Sequence, residues 1–326
     1  MNSNFGKKYY REINIARGIA LVFVILGHCL DAVEMPSIAV WIYKFCYSFH
    51  MGLFFFLSGF VSKKYLREQV KISCEVRKKS KRLMRPYCIF SLITLLIKMA
   101  GGIIGEWDAQ LLIGFLLGES VNESLWYLWT LFAISCIVIS VCIKINRLLM
   151  TDRLILLFLL SIVLYIFFEL FVFPYGLGNI FKYTIFYVLG MCIANNYVAV
   201  KPYIQDARML LVVAEIAIIV LNFVQYNIWY IVTAFLGIYI VMVISLKICK
   251  RENAIYKIFD CFGKYSYEVY LLSYFIQTFI RKVGENMNIN YWYVVFGMFW
   301  VSLIGPIWIS KYFIRKSNKL MKVFGL

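Results

Sequence analysis

The stretch INIARGIALVFVILGHCLDA, residues 13–32, decides the fold. As a helix it is long enough to cross a bilayer, because about 20 mostly apolar residues match the hydrocarbon thickness. Two ionisable side chains, Arg17 and His28, stand inside the apolar run. The residues ahead of it are basic, as they would be in a cleaved leader. No small-x-small cleavage signal follows, however, and Arg17 interrupts the run, so this is a first, retained helix.

Similar stretches fall at 40–61, 86–104, 125–143, 154–173, 180–195, 209–225, 228–248, 265–280 and 291–312. That predicts about ten spans. Segment 110–118 is too short to cross and is expected to lie at an interface or re-enter. The composition agrees, with 63% hydrophobic, 18% aromatic and only 16% charged residues among 326. A soluble core cannot hide so much apolar surface, so the bilayer must act as part of the solvent and a soluble globular enzyme is excluded. The expected fold is all-α: one polytopic integral membrane helical bundle over 1–326, with no internal repeat and no appended soluble domain. The nine cysteines are scattered and form no CxxC pair, so neither a metal site nor a disulfide framework is expected.

The net charge of +17 reports topology rather than a nucleic-acid partner, because the basic residues cluster between the apolar segments. One set of alternate connections carries Lys7, Lys8 and Arg11, the dense 63–85 loop, Lys144 to Arg153, Lys201 and Arg208, Lys247 to Lys264, and Lys311 to Lys322. The opposite connections carry almost none, the last holding Arg281 and Lys282. The positive-inside rule then places both termini in the cytoplasm and requires an even number of spans.

The chain holds 2 histidines, His28 and His50, and the topology puts both near the outer end of the first helix pair. An ionisable group within a span is costly unless it faces a polar cavity, which makes it a functional candidate. The alternative is a structural histidine hydrogen-bonded between helices. Arg17 and His28 share a helix face, since eleven steps of about 100° return to nearly the same side about 16 Å further along. A permanent cation toward the cytoplasm and a titratable base toward the exterior could thus touch two ends of one elongated molecule. Arg17 can equally be read as snorkelling to the headgroups.

The segments ARGIALVFVILGH (16–28) and FHMGLFFFLSGF (49–60) together resemble the membrane-bound acyltransferase 3 family. KRLMRPY (81–87) is similar to that family's Arg-rich approach to its third helix, LWYLWTLF (125–132) to its Leu-Trp-Phe-Leu segment, and YSYEVYLLS (265–273) to its late Ser-Tyr-x-x-Tyr-Leu segment. The resemblance implies transfer of an acyl group, usually acetyl from cytoplasmic acetyl-CoA, to a hydroxyl of a cell-surface polysaccharide or lipid-linked sugar, in a bacterial cytoplasmic membrane. His28 corresponds to the family's proposed catalytic histidine. Arg17, with Arg82 and Arg85, would hold the phosphate-rich part of CoA while the pantetheine arm reaches toward His28; topology signal alone also accounts for Arg82 and Arg85. Acyl-CoA is then a co-substrate, with no permanently bound cofactor. The expected partners are acyl-CoA, a glycan acceptor and membrane lipids, and no nucleic acid.

His50, Ser58, Gly59, Trp126, Tyr127 and Tyr270 are candidates for the acceptor site or its pocket, each against a packing alternative. Two positions depart from the family pattern. Ser273 stands where a late-helix histidine is frequent, with Glu268 the nearest ionisable substitute, and Asn14 stands where an acidic residue often precedes the first-helix arginine. Glu169 and Glu215 are further intramembrane acids without an assigned role. The rival reading is a non-catalytic polysaccharide exporter or flippase, since a bundle with polar residues inside also suits transport.

Overall fold

The computed structural model describes residues 10–31, 35–62, 71–104, 108–145, 148–206 and 229–326. Every regular element among them is helical: α1 Arg11–Leu30, α2 Ser37–Tyr47, α3 His50–Val61, α4 Ile72–Lys79, α5 Arg85–Ala100, α6 Ala109–Leu116, α7 Trp126–Lys144, α8 Met150–Leu170, α9 Leu177–Asn195, α10 Tyr197–Asp206, α11 Trp229–Cys249, α12 Ala254–Asn286, α13 Tyr291–Tyr312 and α14 Asn318–Phe324.

Among the described residues, 8 helical stretches are long and apolar enough to cross a membrane. They are α1, α2 with α3, α4 with α5, α7, α8, α9, α11 and α13 with its short extension. Of the ten expected spans, 209–225 lies outside the described residues. The stretch 265–280 is helical within α12 but is not among the eight. The physical reason is its polar content: Ser266, Glu268, Ser273 and Gln277 are buried inside the bundle, so this helix is sheltered by protein rather than lipid. With 33 residues, α12 is about 50 Å long and exceeds the bilayer. The short segment 110–118 forms the one-stretch helix α6, whose end is held by hydrogen bonds from Tyr87 to the Phe115 carbonyl (2.7 Å) and from Trp129 to the Leu116 carbonyl (3.1 Å).

Lipid tails are as apolar as leucine, so helices in a membrane associate where small residues let their backbones approach. Two crossings do this here. A Cβ on Gly59 of α3 would overlap the Tyr187 carbonyl of α9, and one on Gly190 would overlap the Phe56 carbonyl. Between α1 and α12, Gly18 meets the Phe259 carbonyl and Gly263 the Asn14 carbonyl in the same way.

Polar contacts fix the directions. Asn14 donates to the Asp260 carboxylate (2.9 Å) and carbonyl (3.0 Å), while Arg281 donates to the His28 carbonyl (2.9 Å), so α1 and α12 run parallel. Ser310 bonds Glu268 at 2.9 Å and Gly284 packs on Val294, so α12 and α13 form an antiparallel hairpin. The end of the bundle holding Arg11, Arg82, Lys264 and Arg315 is called the basic end below.

Candidate active site

The last turn of α1 carries His28, and its carbonyls need partners that a helix terminus cannot supply from within. Arg281 takes the His28 carbonyl and the Tyr291 hydroxyl takes that of Leu30 at 2.8 Å. Both donors come from the α12–α13 hairpin, which therefore anchors the turn that presents His28. A cation at a helix C-terminus is also favoured by the helix dipole.

The His28 imidazole points to α2, where its Nδ1 lies 3.3 Å from the Tyr47 hydroxyl. Tyr47 then meets His50 edge-on, with ring centroids 4.7 Å apart. The two histidines are thus brought together by one tyrosine. Their hydrogen-bonding differs. His50 is 1% exposed, and its Nδ1 lies 2.6 Å from the Cys46 carbonyl. A carbonyl only accepts, so the neutral His50 ring carries its proton on Nδ1 and a lone pair on Nε2. The Tyr47 hydroxyl can donate or accept. When His28 Nδ1–H donates to it, His28 Nε2 is left as a base.

A second group forms toward the basic end. Residues Ser80–Met84 make a π-helical turn between α4 and α5, and such a turn breaks the regular carbonyl ladder and shifts the side chains it carries. The Arg82 carbonyl accepts from Tyr267 at 2.5 Å, and the Arg82 guanidinium stands 5.9 Å over the Tyr267 ring. Arg17, half-buried on α1, and Arg82 both act electrostatically on Tyr127. The Tyr127 hydroxyl bonds Ser58 at 3.1 Å, its ring lies 5.7 Å from Tyr270, and Tyr270 donates to the Ser124 carbonyl. Ser58, Tyr127 and Tyr270 are thereby neighbours, drawn from α3, α7 and α12, within electrostatic reach of Arg17 on α1 and Arg82 on the π turn.

A family model described as an acyltransferase domain matches residues 10–311. The chain belongs to the acyltransferase 3 family. It is an integral membrane acyltransferase, and comparison with curated proteins and with solved structures yields no match.

The remaining candidates of the acyltransferase are placed differently. Arg85 sits in the first turn of α5 and donates to the Lys322 carbonyl at 2.9 Å, so its guanidinium caps α14. Gly59 serves the α3–α9 crossing. Trp126 lies 5.3 Å from Tyr183 and 6.3 Å from Phe55. Glu268, the nearest acid to Ser273, is engaged with Arg315 at 2.6 Å and with Ser310 on α13. Glu12, two residues before Asn14, accepts from Tyr197 (2.7 Å) and Lys201 (2.8 Å). Glu215 lies outside the described residues.

Sequence reasoning passed over two residues of the acyltransferase. Tyr47 stands one helical turn before His50, a spacing that a reading focused on the histidines could have used. Lys182 stands inside the apolar run IFKYTIFYVLG, residues 180–190, where a lone cation is itself a signal.

Proposed function

We propose that this acyltransferase moves an acyl group, acetyl in the first instance, from cytoplasmic acyl-CoA to a hydroxyl of a cell-surface polysaccharide or lipid-linked sugar at a bacterial cytoplasmic membrane. The observation that carries the reading is the pairing on α1: Arg17 acts electrostatically on Tyr127 together with Arg82, while His28, about 16 Å along the same helix, meets Tyr47, which in turn meets His50. The charge pattern supports a cytoplasmic basic end. Arg17 and Arg82 hold the CoA phosphates, for which guanidinium groups offer paired donors. The pantetheine arm spans the distance to His28.

The chemistry then follows from the histidine. His28 Nε2 accepts the proton of the acceptor hydroxyl as its oxygen attacks the thioester carbonyl. The tetrahedral intermediate collapses to the ester and expels the CoA thiolate, which takes the proton back from His28. Tyr47, accepting from Nδ1–H, holds the imidazole in the required tautomer. His50, tied to Cys46 through Nδ1, supports Tyr47 from its other side.

Comparing the glycans of cells with and without the protein by mass spectrometry tests this reading. The expected result is an acyl ester present only with the protein and lost with His28→Ala. A transport substrate that crosses without acyl consumption, with no ester on any glycan, would overturn it.

A further inference from the structure

Lys182 lies in the second turn of α9, within a membrane-spanning stretch. Its ammonium stands 4.1 Å from the Tyr230 ring centroid, 5.4 Å from that of Phe168 and 5.6 Å from that of Tyr183. Among the described residues nothing is recorded within hydrogen-bond or ion-pair distance of it; Glu169, exposed on α8, acts on it electrostatically from further away. Rings stabilise a cation through their faces, yet they leave its three N–H donors without acceptors. An ionisable group in a span with no ion pair at contact distance is a functional candidate in physical terms.

Unused hydroxyls surround it. Those of Tyr165 and Tyr230 are buried with no partner at good hydrogen-bond geometry, although Glu169 stands near Tyr165 and Tyr183 near Tyr230, and Tyr165 is 6% exposed. Both interact electrostatically with Tyr183. Tyr183 also stacks on Phe55 at 4.7 Å with Trp126 alongside. The group is therefore rich in donors, has Glu169 as its nearby acid, and is walled by flat apolar rings. Its complement is a ligand with anionic oxygens and a ring whose C–H faces can lie on aromatic side chains. Its location also fits: one turn beyond Tyr230, Thr233 donates to the Ser48 carbonyl at 3.3 Å, two residues before His50.

We infer that Lys182, with Tyr165 and Tyr230, is an anion subsite that binds the carboxylate or phosphate oxygens of an acidic sugar acceptor. The inference deepens the proposed function and rests on it for the identity of the ligand as acceptor. Anion binding itself is measured without acyl-CoA, so the two can fail separately.

The test uses the full chain in phosphatidylcholine nanodiscs. Binding of D-glucuronate, inorganic pyrophosphate and D-glucose is followed by tryptophan fluorescence, with Trp126→Phe identifying the reporter. Glucuronate or pyrophosphate is expected to saturate the signal, and D-glucose to bind at least roughly tenfold more weakly. Lys182→Gln should weaken the anion roughly tenfold to a hundredfold, the range for a lost charge-assisted hydrogen bond. Lys182→Arg should retain most of the binding. Tyr230→Phe, which keeps the ring, should cost a few-fold. Preference for glucuronate assigns a sugar acid, and preference for pyrophosphate assigns the phosphate of a lipid-linked sugar. Equal anion binding in folded Lys182→Gln and wild type, or equal binding of D-glucose, overturns the subsite. Loss of the probe signal on replacing phosphatidylcholine by phosphatidylglycerol makes the occupant a lipid headgroup and overturns the acceptor assignment. Anion binding through Lys182 in a protein that forms no acyl ester leaves the subsite and refutes the proposed reaction.

Discussion

Removing the Tyr47 hydroxyl separates the chemistry of His28 from its positioning. Tyr47→Phe deletes one oxygen, 3.3 Å from His28 Nδ1, and keeps the ring that meets His50 at 4.7 Å. That contact is longer than the usual N···O distance of about 2.9–3.0 Å. Its contribution should therefore sit in the lower part of the roughly 0.5–1.5 kcal/mol expected for a neutral hydrogen bond. If all of it acts on the tautomer and orientation of the base, the rate of acyl transfer falls roughly two- to fivefold. His28→Ala removes the base itself and should cost about 10² to 10⁴. Because Tyr47 acts through His28, the double variant should be no slower than His28→Ala, a departure from additivity that marks coupled residues. The assay is acyl-CoA-dependent labelling of acceptor in reconstituted vesicles, normalised to folded protein. A Tyr47→Phe defect as deep as that of His28→Ala would make the phenol the acid–base group. Additive losses in the double variant would refute positioning through His28, and more than about a tenth of the activity in His28→Ala would remove the histidine as base.

Arg17→Ala should weaken acyl-CoA binding roughly tenfold to a hundredfold with acceptor affinity little changed, and Arg17→Lys should lie between the two because it keeps charge without the paired donors; saturation kinetics on purified protein decides this, and unchanged donor binding would leave Arg17 as a headgroup contact. Gly59→Ala drives a methyl group into the Tyr187 carbonyl and should cost about 1–3 kcal/mol of stability, read as a lower unfolding temperature in detergent, whereas Ser58→Ala should not shift it comparably. A cysteine introduced in the 62–85 loop should resist an impermeant thiol reagent applied to intact cells, and labelling there would reverse the topology.

Much of the protein was legible in its sequence for a local reason. The length of an apolar run and the charge of the loop beside it are properties of contiguous residues, and the bilayer reads them one segment at a time. The helical class, the membrane-length helix α1 and the shared face of Arg17 and His28 all follow from such counting. The span 265–280 shows its limit: Glu268 and Ser310 are far apart in sequence, and only their bond inside the bundle explains how so polar a helix sits there. What the tertiary structure alone decided is which faces meet. Lipid offers no hydrophobic gradient between one apolar face and another, so rotation and partner are set by glycine crossings and polar contacts between distant segments. Those contacts put Tyr47 between two histidines, send Arg85 to the α14 carbonyl, and surround Lys182 with rings from three helices. No periodicity within any one helix encodes them, because each depends on the register of two or more elements.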